Sequence, residues 1–128
     1  MKLLIDTQAL IWFATDSPEL SAHARIELSD PENSLSVSVC TFWEMGIKVS
    51  IRKLRLPVSI GEFMNRTMGG YGIALEPILP IHVEIISSMP FHHKDPFDRM
   101  IAAQALSGHF SLVSNDSAFD RYGVPRIW

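Results

Sequence analysis

The sequence predicts an α/β fold: a layered sandwich in which a central parallel sheet of four to five strands is flanked by helices. Two observations predict it. Short apolar runs (Lys2-Leu3-Leu4-Ile5, Leu35-Ser36-Val37-Ser38-Val39, Phe110-Ser111-Leu112-Val113) alternate with stretches of helical periodicity, the signature of βαβ units with strands buried on both faces. Each of these runs is also followed within a few residues by an acid: Asp6, Glu44 and Asp116, with Asp98 opening a helical stretch of its own. Parallel sheets present their chemistry at the carboxyl ends of their strands, so the acids are predicted to share one edge.

Taken in order, residues 2–6 read as the first strand and Thr7 to about Ala14 as a helix. Asp16-Ser17-Pro18 is a turn, and Ser21 caps a second helix reaching about Leu28. After the turn Asp30-Pro31-Glu32-Asn33 comes a strand at 35–39. Thr41-Phe42-Trp43-Glu44 has capping-box spacing and is predicted to start a helix ending near Ile51. Leu54 to Pro57 reads as extended. Ser59-Ile60-Gly61-Glu62 is a second capping box, and Gly69-Gly70 ends its helix. Ile73 to Ile78 reads as a third strand. Pro80 suits the first turn of a helix ending near Ser88. Asp95-Pro96 caps and opens the next helix, with Gly108 predicted as its terminator. A strand at 110–113, a short helical turn after Asp116, and an edge strand within Val124 to Trp128 complete a single domain over residues 1–128.

The 128 residues suit one core, and 47% apolar content with mixed charge fits a folded soluble chain. A net charge of −3 excludes a protein that coats nucleic acid through overall positive charge, though not a nuclease with a local basic track. One cysteine, Cys40, rules out an intrachain disulfide and a multi-cysteine zinc site. Asp6 and Gln8 interrupt the first apolar run, which is therefore not read as a signal sequence, and no run approaches membrane-spanning length. A reducing cytoplasm is the expected compartment, with no membrane partner.

The acids carry the functional reading. Each has a structural alternative: Asp6 and Asp116 as caps, Asp95 as the cap before Pro96, Glu44 and Asp98 at the third position of capping patterns. A cap requires one acid per helix, however, and does not require several helices to start around one point. Two carboxylates about 5 Å apart at an effective dielectric of about 20 repel by roughly 3 kcal/mol. A bound Mg²⁺ or Mn²⁺ reverses that sign, because hard cations prefer carboxylate and water oxygens. Such a metal suits phosphodiester hydrolysis. The adjacent His92 and His93 are expected to pack or hydrogen-bond in their loop rather than ligate metal.

Lys48, Arg52 and Arg55 recur at i, i+4 and i+7 beyond Glu44. They form either a phosphate track or a solvated face with a Glu44–Lys48 pair. Arg99, beside Asp98, is a phosphate contact or a structural ion-pair partner. Of Trp12, Phe13, Phe42, Trp43 and Met45, about half suit the core and the rest an interface. Ala102, Ala103 and Ala105 let their helix approach the sheet.

MKLLIDTQALIW, FWEMGIKVSIRKLRL, HHKDPFDRMIAAQA and LVSNDSAFDRYGV together resemble a PIN-domain ribonuclease of the VapC-like kind, the toxin half of a type II toxin–antitoxin pair. The resemblance spans nearly the whole chain, and the DPFDR and FWE-to-IK stretches are its most specific parts. It implies a PIN-like three-layer sandwich and carries Asp6, Glu44, Asp98 and Asp116 over as the catalytic, metal-binding acids. Asp6 and Asp98 are the direct ligands; Glu44 and Asp116 act through water or complete a second metal site. Asp95 is assigned to capping. Ser114-Asn115-Asp116 stands where many relatives have Thr-Arg-Asp or Thr-Asn-Asp, so the hydroxyl and the acid are kept while Asn115 lacks a cation some relatives carry. The implied activity is Mg²⁺- or Mn²⁺-dependent endonucleolytic cleavage of RNA by an activated water, with a cognate antitoxin and a homodimer as partners.

Among rival functions, haloacid-dehalogenase chemistry needs an acid at position 8, which is Gln8, and a dinucleotide site needs glycines where Thr7-Gln8-Ala9 stands. The remaining alternative is a catalytically inactive PIN-like adaptor that binds RNA or protein.

Overall fold

The computed structural model describes all residues from Met1 to Trp128. Five strands, β1 (Lys2–Ile5), β2 (Ser34–Ser38), β3 (Ala74–Glu76), β4 (Ser111–Val113) and β5 (Arg126–Ile127), form one sheet in the order β3-β2-β1-β4-β5, every neighbouring pair parallel. Six α-helices connect them: α1 (Thr7–Ala14), α2 (Ala22–Ser29), α3 (Val39–Ser50), α4 (Ile60–Asn65), α5 (Pro80–Ser88) and α6 (Pro96–Gly108). A π-helical turn at Arg66–Gly70 and a 3₁₀ turn at Ser117–Tyr122 complete the connections.

Alternation along the strands builds two cores. Leu3, Ile5 and Val113 face one side, with Leu10, Leu28, Met45 and Phe63. Leu4 and Leu112 face the other, with Cys40, Ile101, Ala102 and Ala105. Helices therefore cover both faces of the sheet, as expected of a parallel sandwich. The alanines of α6 are fully buried, which lets that helix lie close to the strands.

β1 lies between β2 and β4, in registers that place Ile5 opposite both Val37 and Val113. From β1 the chain moves one way, through β2 to β3. It then returns through α5 and α6 to β4 on the other side of β1. The carboxyl ends of β1 and β4 flank this reversal, where open α/β sheets bind their ligands.

The third strand is shorter than expected, Ala74–Glu76 rather than Ile73 to Ile78, and two helix boundaries move. The helix carrying Glu44 starts at Val39, not Thr41. Its N-cap is Ser38, whose hydroxyl accepts the Cys40 N–H at 3.1 Å, and β2 ends there. Thr41 lies inside the helix, so the Thr41–Glu44 capping box does not form. At the end of α6 the left-handed residue is His109 (φ 54°) rather than Gly108. Gly108 is instead where the Phe110 ring packs, since a Cβ there would lie 2.3 Å from the Phe110 ring. The other caps, Ser21, Ser59, Asp95 with Pro96, and Asp116, form as expected, although the Ser59–Glu62 box is only half made, because the Glu62 carboxylate pairs with Arg66 one turn on.

Candidate metal centre

Asp6 follows β1 directly. Its backbone N–H continues the ladder to the Val113 carbonyl (3.1 Å), while Oδ1 accepts the Ala9 N–H at 2.7 Å. The cap and the carboxyl end of the strand are thus the same residue. Asp116 stands across the reversal and caps the 3₁₀ turn, its Oδ1 accepting the Ala118 N–H at 2.9 Å. Asp95 accepts the N–H groups of Phe97 (2.7 Å) and Asp98 (3.2 Å), as a cap should. That leaves the Asp98 side chain free of any hydrogen bond within the protein, although it is half-buried.

These residues line one cleft of about 320 Å³, which takes Asp6, Glu44, Asp95, Asp98 and Asp116 but only Lys48 and Lys53 as cations. The acids that the sequence placed on one edge do converge there. Glu44, buried on the second turn of α3, is held at both oxygens: Oε1 accepts the Thr7 hydroxyl at 2.8 Å and Oε2 the Lys48 ammonium at 2.6 Å. Thr41 supports this arrangement from inside α3, its Oγ1 lying 3.1 Å from that of Thr7.

The electrostatics follow from this crowding. Burial pushes the Asp6 carboxyl up to about 6, with Asp116 and Glu44 adding to the rise, while the Ser114 hydroxyl and the Ala9 N–H pull it back. Burial likewise lifts Asp98 to about 6, helped by the negative charge of Asp95 and of Glu44 and Asp6. Partial burial works to raise Asp116 as well. The His93 ring, the Ala118 N–H and the Arg126 charge outweigh it and hold that carboxyl below its ordinary range.

The basic residues divide. Lys48 and Lys53 line the cleft, whereas Arg52 is exposed in a left-handed conformation (φ 59°) after α3 and does not. Arg99 is buried, and its guanidinium donates to the carbonyls of Pro90 (3.0 Å), Ile86 (3.2 Å) and Met89 (3.3 Å). It ties the end of α5 to α6 and stacks on Phe91, so its donors are engaged away from the acids.

Two residues escaped the sequence reading, Thr7 and Lys53, and His93, expected to pack or hydrogen-bond in its loop, also reaches an acid of the cluster. His93 is buried, and its Nε2 lies 2.7 Å from Asp116 Oδ2. Ligand atoms of His93, Asp98 and Asp116 all fall within 4.8 Å of one another. Thr7 directly follows Asp6 and Lys53 lies five residues beyond Lys48, but their facing the cleft depends on how α1 and α3 dock. The clustered carboxylates, one of them unpartnered, fit a hard divalent cation.

The sequence profile of the PIN domain matches residues 3–125. The chain belongs to the PIN-domain family. Among solved structures, this PIN domain resembles a chain of VapBC2 from Rickettsia felis (TM-score 0.73, 14% identity, covering 98% of this chain and 97% of that one). It also resembles a chain of VapBC-1 from nontypeable Haemophilus influenzae (TM-score 0.67, 18% identity, 98% and 96% covered). FitAcB from Neisseria gonorrhoeae is similar too (TM-score 0.62, 17% identity, 97% and 95% covered). At these identities the likeness is one of fold. No curated protein matches the chain by sequence.

Proposed function

We propose that this PIN domain, one domain over residues 1–128, is a Mg²⁺- or Mn²⁺-dependent endoribonuclease and the toxin of a toxin–antitoxin pair in the cytoplasm. The observation that carries the reading is the gathering of five carboxylates against two lysines at the sheet's reversal point, with Asp98 left unpartnered.

Asp6 and Asp98 would hold the cation directly, with Asp116 as a further carboxylate at the same cleft. Glu44, with both oxygens engaged, either orients a water or completes a second metal position. A cation held there would supply an acidified water and neutralise charge on the scissile phosphate. Lys48 and Lys53 sit where a polynucleotide's neighbouring phosphates would pass and draw the strand into an otherwise repulsive cleft. Asn115 lines the same rim and offers a neutral amide to sugar or base.

The similar solved structures are VapBC and FitAcB assemblies, and one of these is bound to promoter DNA. An antitoxin partner is supported here by an apolar groove lined by Val49, Leu54, Leu56, Val58 and Ile60, which meets the acid cleft at Leu54. Self-association is supported by exposed Trp43, Ile47 and Ile51, spaced one turn apart along α3 and onto its C-cap. Trp43 also shares an apolar cavity of about 410 Å³ with Ile78 and Ile86.

The test is cleavage of total cellular RNA with mapped ends. Wild type with Mn²⁺ is expected to cut and leave no 2′,3′-cyclic phosphate, because water rather than the ribose hydroxyl attacks. Asp98→Asn and EDTA-treated protein should not cut. RNA binding without cleavage at any metal concentration would instead make the protein an adaptor.

A further inference from the structure

Asp116 has a side chain 41% exposed, yet it is held at both oxygens. Beyond its cap to Ala118, the second restraint comes from a residue with no assigned part in the site. His93 reaches Asp116 from the loop between α5 and α6, and its ring packs against both Phe119 (centroids 4.4 Å apart) and Tyr122 (5.6 Å, nearly parallel). The Tyr122 hydroxyl accepts the backbone N–H of His93 at 2.9 Å and lies 3.2 Å from Nδ1 of the same ring.

Donor and acceptor chemistry then fixes the proton. An ionised carboxylate only accepts, so the ring nitrogen facing Asp116 must carry hydrogen. In a neutral imidazole the other nitrogen is then a lone pair, and the hydroxyl proton of Tyr122 is the donor that satisfies it. The chain runs Tyr122 O–H to His93 Nδ1, then His93 Nε2–H to Asp116 Oδ2. Each Asp116 oxygen keeps a further lone pair for a cation.

We infer that His93, held as the Nε2–H tautomer by Asp116 and steadied at Nδ1 by Tyr122, is a positioning residue: it orients the Asp116 carboxylate toward the metal centre and does not itself ligate the ion. The inference rests on the metal-dependent reading of the cleft. Partners of this kind around metal-ligating groups carry about 10- to 100-fold in affinity. The sequence placed His93 in a packed loop, which is correct as far as it goes; the carboxylate it packs against lies 23 residues away.

Mn²⁺ titrations followed by electron paramagnetic resonance, without RNA, test this directly. His93→Ala is expected to weaken Mn²⁺ binding by about 10- to 100-fold. His93→Gln, whose amide can still donate to Oδ2, should recover most of the loss. In wild-type protein, ¹⁵N imidazole shifts should report the Nε2–H tautomer with and without Mn²⁺, and Tyr122→Phe should keep Nε2–H but shift the Nδ1 resonance, since the hydroxyl facing Nδ1 is gone. His93→Ala binding Mn²⁺ like wild type would overturn the inference and leave the nuclease reading standing. His93→Gln as weak as His93→Ala, or an Nδ1–H tautomer, would mean that the imidazole acts as a ligand, and would also overturn it. Wild-type protein that binds no Mn²⁺ would overturn both. Should His93→Ala fail to fold, His93→Gln and the wild-type tautomer decide.

Discussion

At the scale of single residues, the acids do two jobs that the sequence posed as alternatives. Asp6 is a helix cap and a member of the cluster at once, because a residue that ends a parallel strand and starts a helix sits at both places. The two roles separate by substitution. Asn caps about as well as Asp, so Asp6→Asn should leave the metal-free fold as stable or more so, while abolishing Mn²⁺ binding. Asp6→Ala should lose the cap as well, at a cost of about 1 kcal/mol. Equal destabilisation by both variants in urea melts would show that the charge, not the cap, supports the fold. The raised carboxyls of Asp6 and Asp98 make a second prediction, about pH. Between about 4 and 6 the folded, metal-free protein holds protons on these groups that the unfolded chain has released, so stability must fall as pH rises through that window. For Asp6 alone the loss is on the order of 2–3 kcal/mol by pH 7. Asp116, whose carboxyl is lowered, contributes in the opposite sense, but its contribution is lost only below the ordinary carboxylate range, outside the window. A urea midpoint that is higher at pH 7 than at pH 4.5 without metal would contradict the burial of these charges.

At the scale of elements, most of the fold was legible because its signals are local. Ser21, Ser59, Asp95 and Asp116 each announce a helix within three residues of sequence. The start of α3 was misread because two hydroxyls compete there: Thr41 has the capping-box spacing, but Ser38 ends β2 and takes the cap first. The consequence reaches the site. With α3 beginning at Val39, Glu44 falls on the second turn, facing Thr7, and Lys48 follows one turn later to meet it. Ser38→Ala should therefore cost about 1 kcal/mol of stability without changing metal affinity per folded molecule. The basic track was half legible for the same reason. Periodicity extended it through Arg52, yet α3 ends at Ser50 and the left-handed turn at Arg52 brings Lys53 to the cleft instead. Replacing Lys48 and Lys53 together with Ala should reduce the slope of log affinity for single-stranded RNA against log salt by about 1.4, at about 0.7 per phosphate contact. Arg52→Ala should leave that slope unchanged; the reverse pattern would return the track to the face that the periodicity described.

At the scale of the molecule, convergence is a property of topology, which local signals do not encode. Periodicity gave the strands, but not that β4 would lie beside β1, and it is this placement that sets Asp116 across from Asp6 and brings His93 to Asp116. What could be reasoned beforehand was the electrostatic consequence: acids gathered from four separate segments are unstable company without a cation. The metal-free protein therefore carries stored repulsion that a divalent ion relieves. At a concentration 100 times Kd, an ion that binds only the folded state adds about 2.7 kcal/mol. For a chain of this length that corresponds to a rise in Tm of roughly 10 °C. Differential scanning calorimetry across millimolar Mn²⁺ should record such a rise in wild type. Asp98→Asn should show little of it, since it removes the carboxylate with no other partner, and its metal-free Tm should equal or exceed that of wild type. A flat wild-type Tm would break the link between the fold's convergence and metal. A large rise preserved in Asp98→Asn would move the ion to the triad of His93, Asp116 and a remaining acid, and so reassign which carboxylates do the chemistry.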